Sequence, residues 1–164
     1  MASYPASKPG SQRHTLSVLV ENRPGVLARI AGLFARRAFN INSLSVSPTE
    51  RPDISRITVT ADVEEVPLEQ IIKQLHKLIS TYKVIDSGEF VEREMVLLKI
   101  SLNEDFSGLD AVLKSANGTV TSSNEDYIIV MACDEADRIE NFIKVMKKYN
   151  PSQIVRSGSV MMEL

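Results

Sequence analysis

His14-Thr15-Leu16-Ser17-Val18-Leu19-Val20, then Glu21-Asn22-Arg23-Pro24-Gly25, then Val26-Leu27-Ala28-Arg29-Ile30 reads as a strand, a turn and the start of a helix. Leu16, Val18 and Val20 alternate with Thr15, Ser17 and Leu19, as a half-buried strand requires. Pro24-Gly25 breaks that pattern. Beyond it, Val26, Leu27, Ile30, Leu33 and Phe34 recur at helical spacing, and Arg29, Arg36 and Arg37 fall on the solvent side. The turn therefore feeds a helix N-terminus, where unpaired backbone N–H groups and the positive end of the helix dipole suit a carboxylate. Gly25 lacks the Cβ that would hold a ligand off the backbone, and Pro24 presets φ for a first turn.

The helix is expected to end at Ala38-Phe39, and Asn40-Ile41-Asn42-Ser43-Leu44-Ser45-Val46 reads as a second strand opening on polar amides. Two accounts of the asparagines stand side by side. Asn22 and Asn40 converge on the turn, where their amides read the two ends of a free amino acid; or Asn22 caps the helix and Asn40 takes a left-handed turn at its end.

Working outward, Ile57, Val59 and Ala61 alternate with Arg56, Thr58, Thr60 and Asp62, a third strand with one wet face. Pro67 opens a helix whose stripe is Leu68, Ile71, Ile72, Leu75, Leu78 and Ile79, and a fourth strand follows from Tyr82 to Ser87. The order is β-α-β-β-α-β, and the rest of the chain repeats it. Met95 to Leu102 is a strand, Leu109 to Ala116 a short helix ended by Asn117-Gly118, Val120 to Ser122 a weak strand and Tyr127 to Ala132 an apolar one. Asp134 is placed to cap a helix with Ile139, Phe142, Ile143 and Met146 on its stripe, before a last strand near Gln153 to Leu164. The expected fold is α+β, two ferredoxin-like units in tandem: a flexible tail over residues 1–13, a first domain over 14–91 and a second over 93–164. Each unit leaves one sheet face and its edge strands to be covered by the other unit or by a second chain, so a dimer is expected.

Composition excludes several functions. The 164 residues carry a net charge of −2, no Trp and 5% aromatics, which gives no reason to expect nucleic acid or an anionic membrane as partner. No run approaches the ~20 apolar residues of a membrane span, and residues 1–13 carry no apolar core long enough for a signal peptide, so a soluble, cytoplasmic protein is expected. The single Cys133 rules out an internal disulfide and reads as a small core residue. His14 begins a strand, His76 lies on a Lys-containing helix surface, and no spacing matches a metal site or a nucleophile with its base. A binding protein without catalytic machinery is the reading that remains.

At this level of detail the chain resembles the ACT-domain small subunits of acetohydroxyacid synthase, also called acetolactate synthase. The resemblance runs through residues 14–22, Pro24-Gly25-Val26-Leu27-Ala28-Arg29, Gly32-Leu33-Phe34, Arg37, Phe39-Asn40-Ile41, Ser55-Arg56-Ile57-Thr58 and Leu68-Glu69-Gln70-Ile71, as far as Leu98-Lys99. It resumes in residues 139–146 and Arg156-Ser157-Gly158, across a segment, 105–123, shorter than the family pattern.

The resemblance implies a regulatory chain with no active site of its own. It would bind a large catalytic subunit that holds thiamine diphosphate, Mg²⁺ and FAD and condenses pyruvate with pyruvate or 2-oxobutyrate. It would stimulate that subunit and confer feedback inhibition by valine, often with leucine or isoleucine as weaker effectors. It also implies paired ACT domains with effector between them: Asn22, Arg23, Pro24, Gly25, Val26 and Leu27 from one chain facing Asn40 and Ile41 of the other. A stand-alone tandem-ACT sensor acting on another enzyme or on gene control is the alternative.

Overall fold

The computed structural model describes residues 12–164. The tail expected over residues 1–13 lies outside the described residues except for Gln12 and Arg13, which belong to the first strand. The chain forms two compact units.

The first unit contains β1 (Gln12–Glu21), α1 (Val26–Ala35), β2 (Ile41–Pro48), β3 (Ile54–Val63), α2 (Glu65–Lys77) and β4 (Thr81–Ile85). Its sheet order is β2-β3-β1-β4, with antiparallel neighbours. This is the ferredoxin-like arrangement that the β-α-β-β-α-β reading demands. Leu16, Val18 and Val20 meet Ile57, Val59 and Ala61 on one sheet face, and Val26, Ile30, Leu33 and Phe34 of α1 close over them with Leu68, Ile71 and Leu75 of α2. Burying these side chains at about 1.5–3 kcal/mol each is the main stabilisation of the unit.

Three local expectations shift. Helix α1 stops at Ala35, and Ala38, with φ 55°, takes the left-handed position expected at Asn40. The Phe39 N–H then reaches Phe34 O at 3.1 Å, a helix-closing bond of the Schellman type. Pro67 is the third residue of α2 instead of the first, still within the turn whose N–H groups have no acceptor in the helix. Ile79, expected on the α2 stripe, lies beyond the helix end and is exposed.

The polar sheet face of the first unit, expected to need cover from the other unit or a second chain, is covered from within the chain. Thr58 and Thr60 are buried, as are Ser17 and Ser43, and the register lines Ser17 and Ser45 up with Thr58 and Ser43 with Thr60. The cover is residues 158–164, which the expected boundaries assign to the second domain and which pack with the first unit. Ser43 Oγ bonds Thr60 Oγ1 and accepts from Ser159 N–H at 3.4 Å; Arg56 Nη1 donates to Ser17 Oγ at 2.8 Å and to Met161 O at 3.5 Å. A hydroxyl row suits this cover because it pairs with the polar backbone of the segment laid across it.

Gly158 allows the close approach. Its φ is +76°, and a Cβ there would lie 2.9 Å from Ser43 Cβ. Gly158→Ala is therefore expected to cost about 2 kcal/mol from left-handed strain and displacement of the segment. Thermal unfolding measures this, and an unchanged midpoint would mean that the segment does not hold the hydroxyl face.

The second unit, residues 92–157, uses the same plan: β5 (Phe90–Ser101, entering from the first unit), α3 (Leu109–Ser115), β6 (Thr119–Ser123), β7 (Tyr127–Asp134), α4 (Ala136–Met146) and β8 (Gln153–Glu163), ordered β6-β7-β5-β8. Val96, Leu98, Ile100, Val130 and Ala132 form its core with Ile139, Phe142, Ile143 and Met146 of α4. Asn117, with φ 50°, ends α3 as its place before Gly118 predicts. Cys133 is exposed, not a core residue. Strand parity explains this: Val130, Ala132 and Asp134 point inward, so Cys133 shares the opposite face with Ile129 and Met131. Asp134 closes β7, and Glu135 is the residue at the N-cap of α4, with no side-chain cap bond.

Candidate functional site

The β1–α1 turn is held from below by its neighbours. Glu21 N–H donates to Ser80 O at 2.9 Å, and Asn22 N–H to Asp53 O at 2.8 Å. The Asn22 side chain adds a third tie, Nδ2 to Pro52 O at 2.9 Å. Asn22 is thus a brace to the β2–β3 loop and not the helix cap. That loop is braced in turn by an Arg51–Asp53 ion pair at 2.8 Å, whose guanidinium holds the Asp53 carboxyl below the usual carboxylate range. These loop partners escaped the sequence reading, because a loop-to-loop hydrogen bond leaves no periodic signature.

Arg23 pairs with Glu21 at the rim. Gly25 is the N-cap of α1 at φ 85°, a left-handed conformation that glycine adopts without penalty, and no atom lies within 4 Å of where its Cβ would be. Val26 turns into the core, while Leu27 is 39% exposed beside the turn. Val26 N–H is used locally, bonding Arg23 O at 3.4 Å, and Gly25 O accepts from Arg29 N–H at 3.1 Å. Leu27 and Ala28 belong to the first turn, whose N–H groups have no intrahelical acceptor. The turn is therefore open space with backbone donors at its floor.

The second unit repeats the turn and fills it. Gly108 is the N-cap of α3 at φ 79°, but the Tyr149 hydroxyl lies 3.7 Å from its Cβ position and donates to Ser107 O at 3.1 Å. Lys148 Nζ bonds the same carbonyl at 3.3 Å. What the first unit leaves open, the second closes with its own side chains.

Asn40 is exposed just before β2, its Nδ2 donating weakly to Asn42 Oδ1 at 3.5 Å, and Ile41 packs partly on the core while pairing with Ala61. Asn22 and Asn40 do not converge within one chain. They sit at opposite ends of α1, whose 10 residues span about 15 Å. Arg29 and Arg36 are exposed as expected, whereas Arg37 is half-buried and donates to Gln74 Oε1 at 2.8 Å, tying the turn after α1 to α2. His76 is exposed. Among the described residues no group of three His, Cys, Asp or Glu gathers as a metal site would, and no helix is long and apolar enough to cross a membrane.

Two family models divide the chain. An "AHAS small subunit-like ACT domain" matches residues 16–83, and a "Small subunit of acetolactate synthase" matches residues 93–164. A probable acetolactate synthase small subunit of Archaeoglobus fulgidus is 41% identical over 152 residues, covering 92% of this chain and 96% of that protein. The acetolactate synthase small subunit of Mycolicibacterium smegmatis is 40% identical over 156 residues, 92% of this chain and 91% of its own length. The crystal structure of the acetolactate synthase small subunit from Thermotoga maritima superposes with a TM-score of 0.83 at 32% identity, over 93% of this chain and 98% of that one. With similarity at this level along almost the whole chain, in sequence and in fold, the protein belongs to the acetolactate synthase small-subunit family.

Proposed function

We propose that this chain is the non-catalytic regulatory subunit of acetolactate synthase: it binds the large catalytic subunit, stimulates it, and makes it sensitive to valine, with leucine or isoleucine as weaker effectors. Thiamine diphosphate, Mg²⁺ and FAD belong in this reading to the catalytic partner. The observation that carries it is the unfilled turn at Gly25, held rigidly by Asn22, with backbone donors exposed at a helix N-terminus. A carboxylate there gains charge-assisted bonds of about 1.5–3 kcal/mol each.

The other half of the site comes from a second copy. Asn40 and Ile41 stand a helix length from the turn in their own chain, and β2 is an edge strand, open to a partner chain. In a homodimer that brings the start of β2 to the partner's turn, Asn40 takes a polar end of the effector, and Leu27 and Ile41 hold its branched side chain. That apolar contact contributes about 1.5–3 kcal/mol. Because effector lies between chains, its binding favours one dimer arrangement, and a coupling of about 1–3 kcal/mol to the catalytic subunit is ordinary for allostery.

The test is reconstitution. Purified chain added to its catalytic subunit should raise acetolactate formation from pyruvate, and valine should reverse the gain. Stimulation indifferent to valine would reject the effector, and absence of stimulation would reject the partner. Asn40→His, which removes the amide and adds bulk, is expected to abolish valine inhibition and leave stimulation intact in the same assay.

A further inference from the structure

The second unit contains a cleft of about 230 Å³ between α3 and α4. Val112, Phe142 and Val145 form its apolar side; Asp134, Arg138 and Asn141 are among its polar groups. The α4 members recur at helical spacing, 138, 141 and 142, 145, so one helix face builds most of the wall. Asp134 is only 7% exposed. Its Oδ1 accepts from Glu135 N–H at 2.8 Å, but its buried Oδ2 has no hydrogen bond. Arg138 Nε lies 3.3 Å from that oxygen without forming an aligned bond, and the guanidinium is 61% exposed at the mouth.

We propose that this cleft binds a small apolar α-amino acid, with Arg138 swinging off the buried Asp134 Oδ2 to admit the ammonium, the carboxylate on Arg138 and the Asn141 amide, and the side chain against Val112, Phe142 and Val145. The polar groups select a zwitterion. A lone anion would face the Asp134 carboxylate, a lone cation would face Arg138, and an uncharged apolar ligand would leave the buried oxygen without a donor. A zwitterion replaces one poorly aligned ion pair with two aligned ones, each charge meeting its opposite. At about 230 Å³ the cleft has room for a molecule of this size. The site is separate from the turn at Gly25 and does not rest on it.

Calorimetric titration of the full chain with L-valine tests the assignment, with Gly25→Asp used to disable the turn. The Gly25→Asp chain is expected to keep a saturable valine site, and Asp134→Asn added to it should weaken that site at least tenfold. Arg138→Gln should do the same. Isobutylamine, which lacks the carboxylate, and isovalerate, which lacks the ammonium, should each bind at least tenfold more weakly than valine. In NMR spectra the Asn141 and Val145 amides should move on titration. The proposal is overturned if Gly25→Asp leaves no saturable binding, if Asp134→Asn and Arg138→Gln do not alter it, or if isobutylamine binds as well as valine. Asp134→Asn retains the Oδ1 acceptor; should that variant fail to fold, Arg138→Gln, at an exposed position, decides alone. Valine affinity that is equal in wild-type and Gly25→Asp chains would count against the turn and not against the cleft.

Discussion

In a chain carrying Gly25→Asp, valine inhibition of acetolactate formation is expected to weaken by at least about 100-fold while stimulation of the catalytic subunit persists. The change is severe for a ligand and mild for the fold. Gly25 has φ 85°, where an L-residue costs about 1–2 kcal/mol, although aspartate is among the side chains that tolerate this region best. No atom lies within 4 Å of the new Cβ, so nothing in the core has to move. The effector, in contrast, would have to bring its carboxylate beside another one. At about 4 Å and an effective dielectric near 20, two like charges repel by about 4 kcal/mol, and 2.7 kcal/mol already corresponds to about 100-fold. The valine concentration for half inhibition, measured beside unfolding midpoints for both chains, gives the answer. A well-folded variant that no longer stimulates would place the docking surface, and not the sensor, at this turn.

The turn was legible because its signals are local: a period of two, then Pro-Gly, then a period near 3.6, all within 20 residues of His14. Both ferredoxin-like units were legible for the same reason. What escaped was non-local or a matter of strand parity. That the face of Thr58 and Thr60 needs cover follows from the fold, but nothing near these residues announces that residues 158–164 supply it. Asn22 reads as a plausible cap, yet its amide is taken by Pro52 O, thirty residues on. Cys133 lies in an apolar run, where alternation decides exposure; the buried Asp134 fixes the parity, and a carboxylate is the residue least expected to point inward. The separation of Asn22 from Asn40 follows from helix length alone once α1 is seen to run unbroken between them.

The largest expected loss of stability lies at Arg156. Its guanidinium makes a bidentate pair with Glu94, Nε to Oε1 at 2.6 Å and Nη2 to Oε2 at 3.0 Å, and its Nη1 donates to Glu140 Oε2 at 2.8 Å. One cation from β8 therefore holds a carboxylate from β5 and another from α4. The Glu94 side chain is fully buried and that of Arg156 is 12% exposed. Replacing a buried pair by apolar residues is often neutral, but removing one partner strands the other charge. Arg156→Leu takes the cation from two carboxylates at once and is expected to cost about 3–5 kcal/mol. Glu94→Leu should cost less, because Arg156 keeps Glu140 in a one-to-one pair, and the double variant Glu94→Leu, Arg156→Leu should recover part of the loss. Urea unfolding followed through Tyr149, buried in this unit, measures all three. With a slope of about 1–2 kcal/mol per molar urea, the Arg156→Leu midpoint should fall by roughly 1.5–5 M. A fall below about 0.5 M, or a double variant worse than Arg156→Leu, would show that the carboxylates do not depend on this cation. The consequence extends along the strand. Arg156 stands two residues before Gly158, where the chain begins its cover of Ser43 and Thr60, so a loosened β8 should also speed hydrogen exchange at Ser159, whose N–H is bonded to Ser43 Oγ.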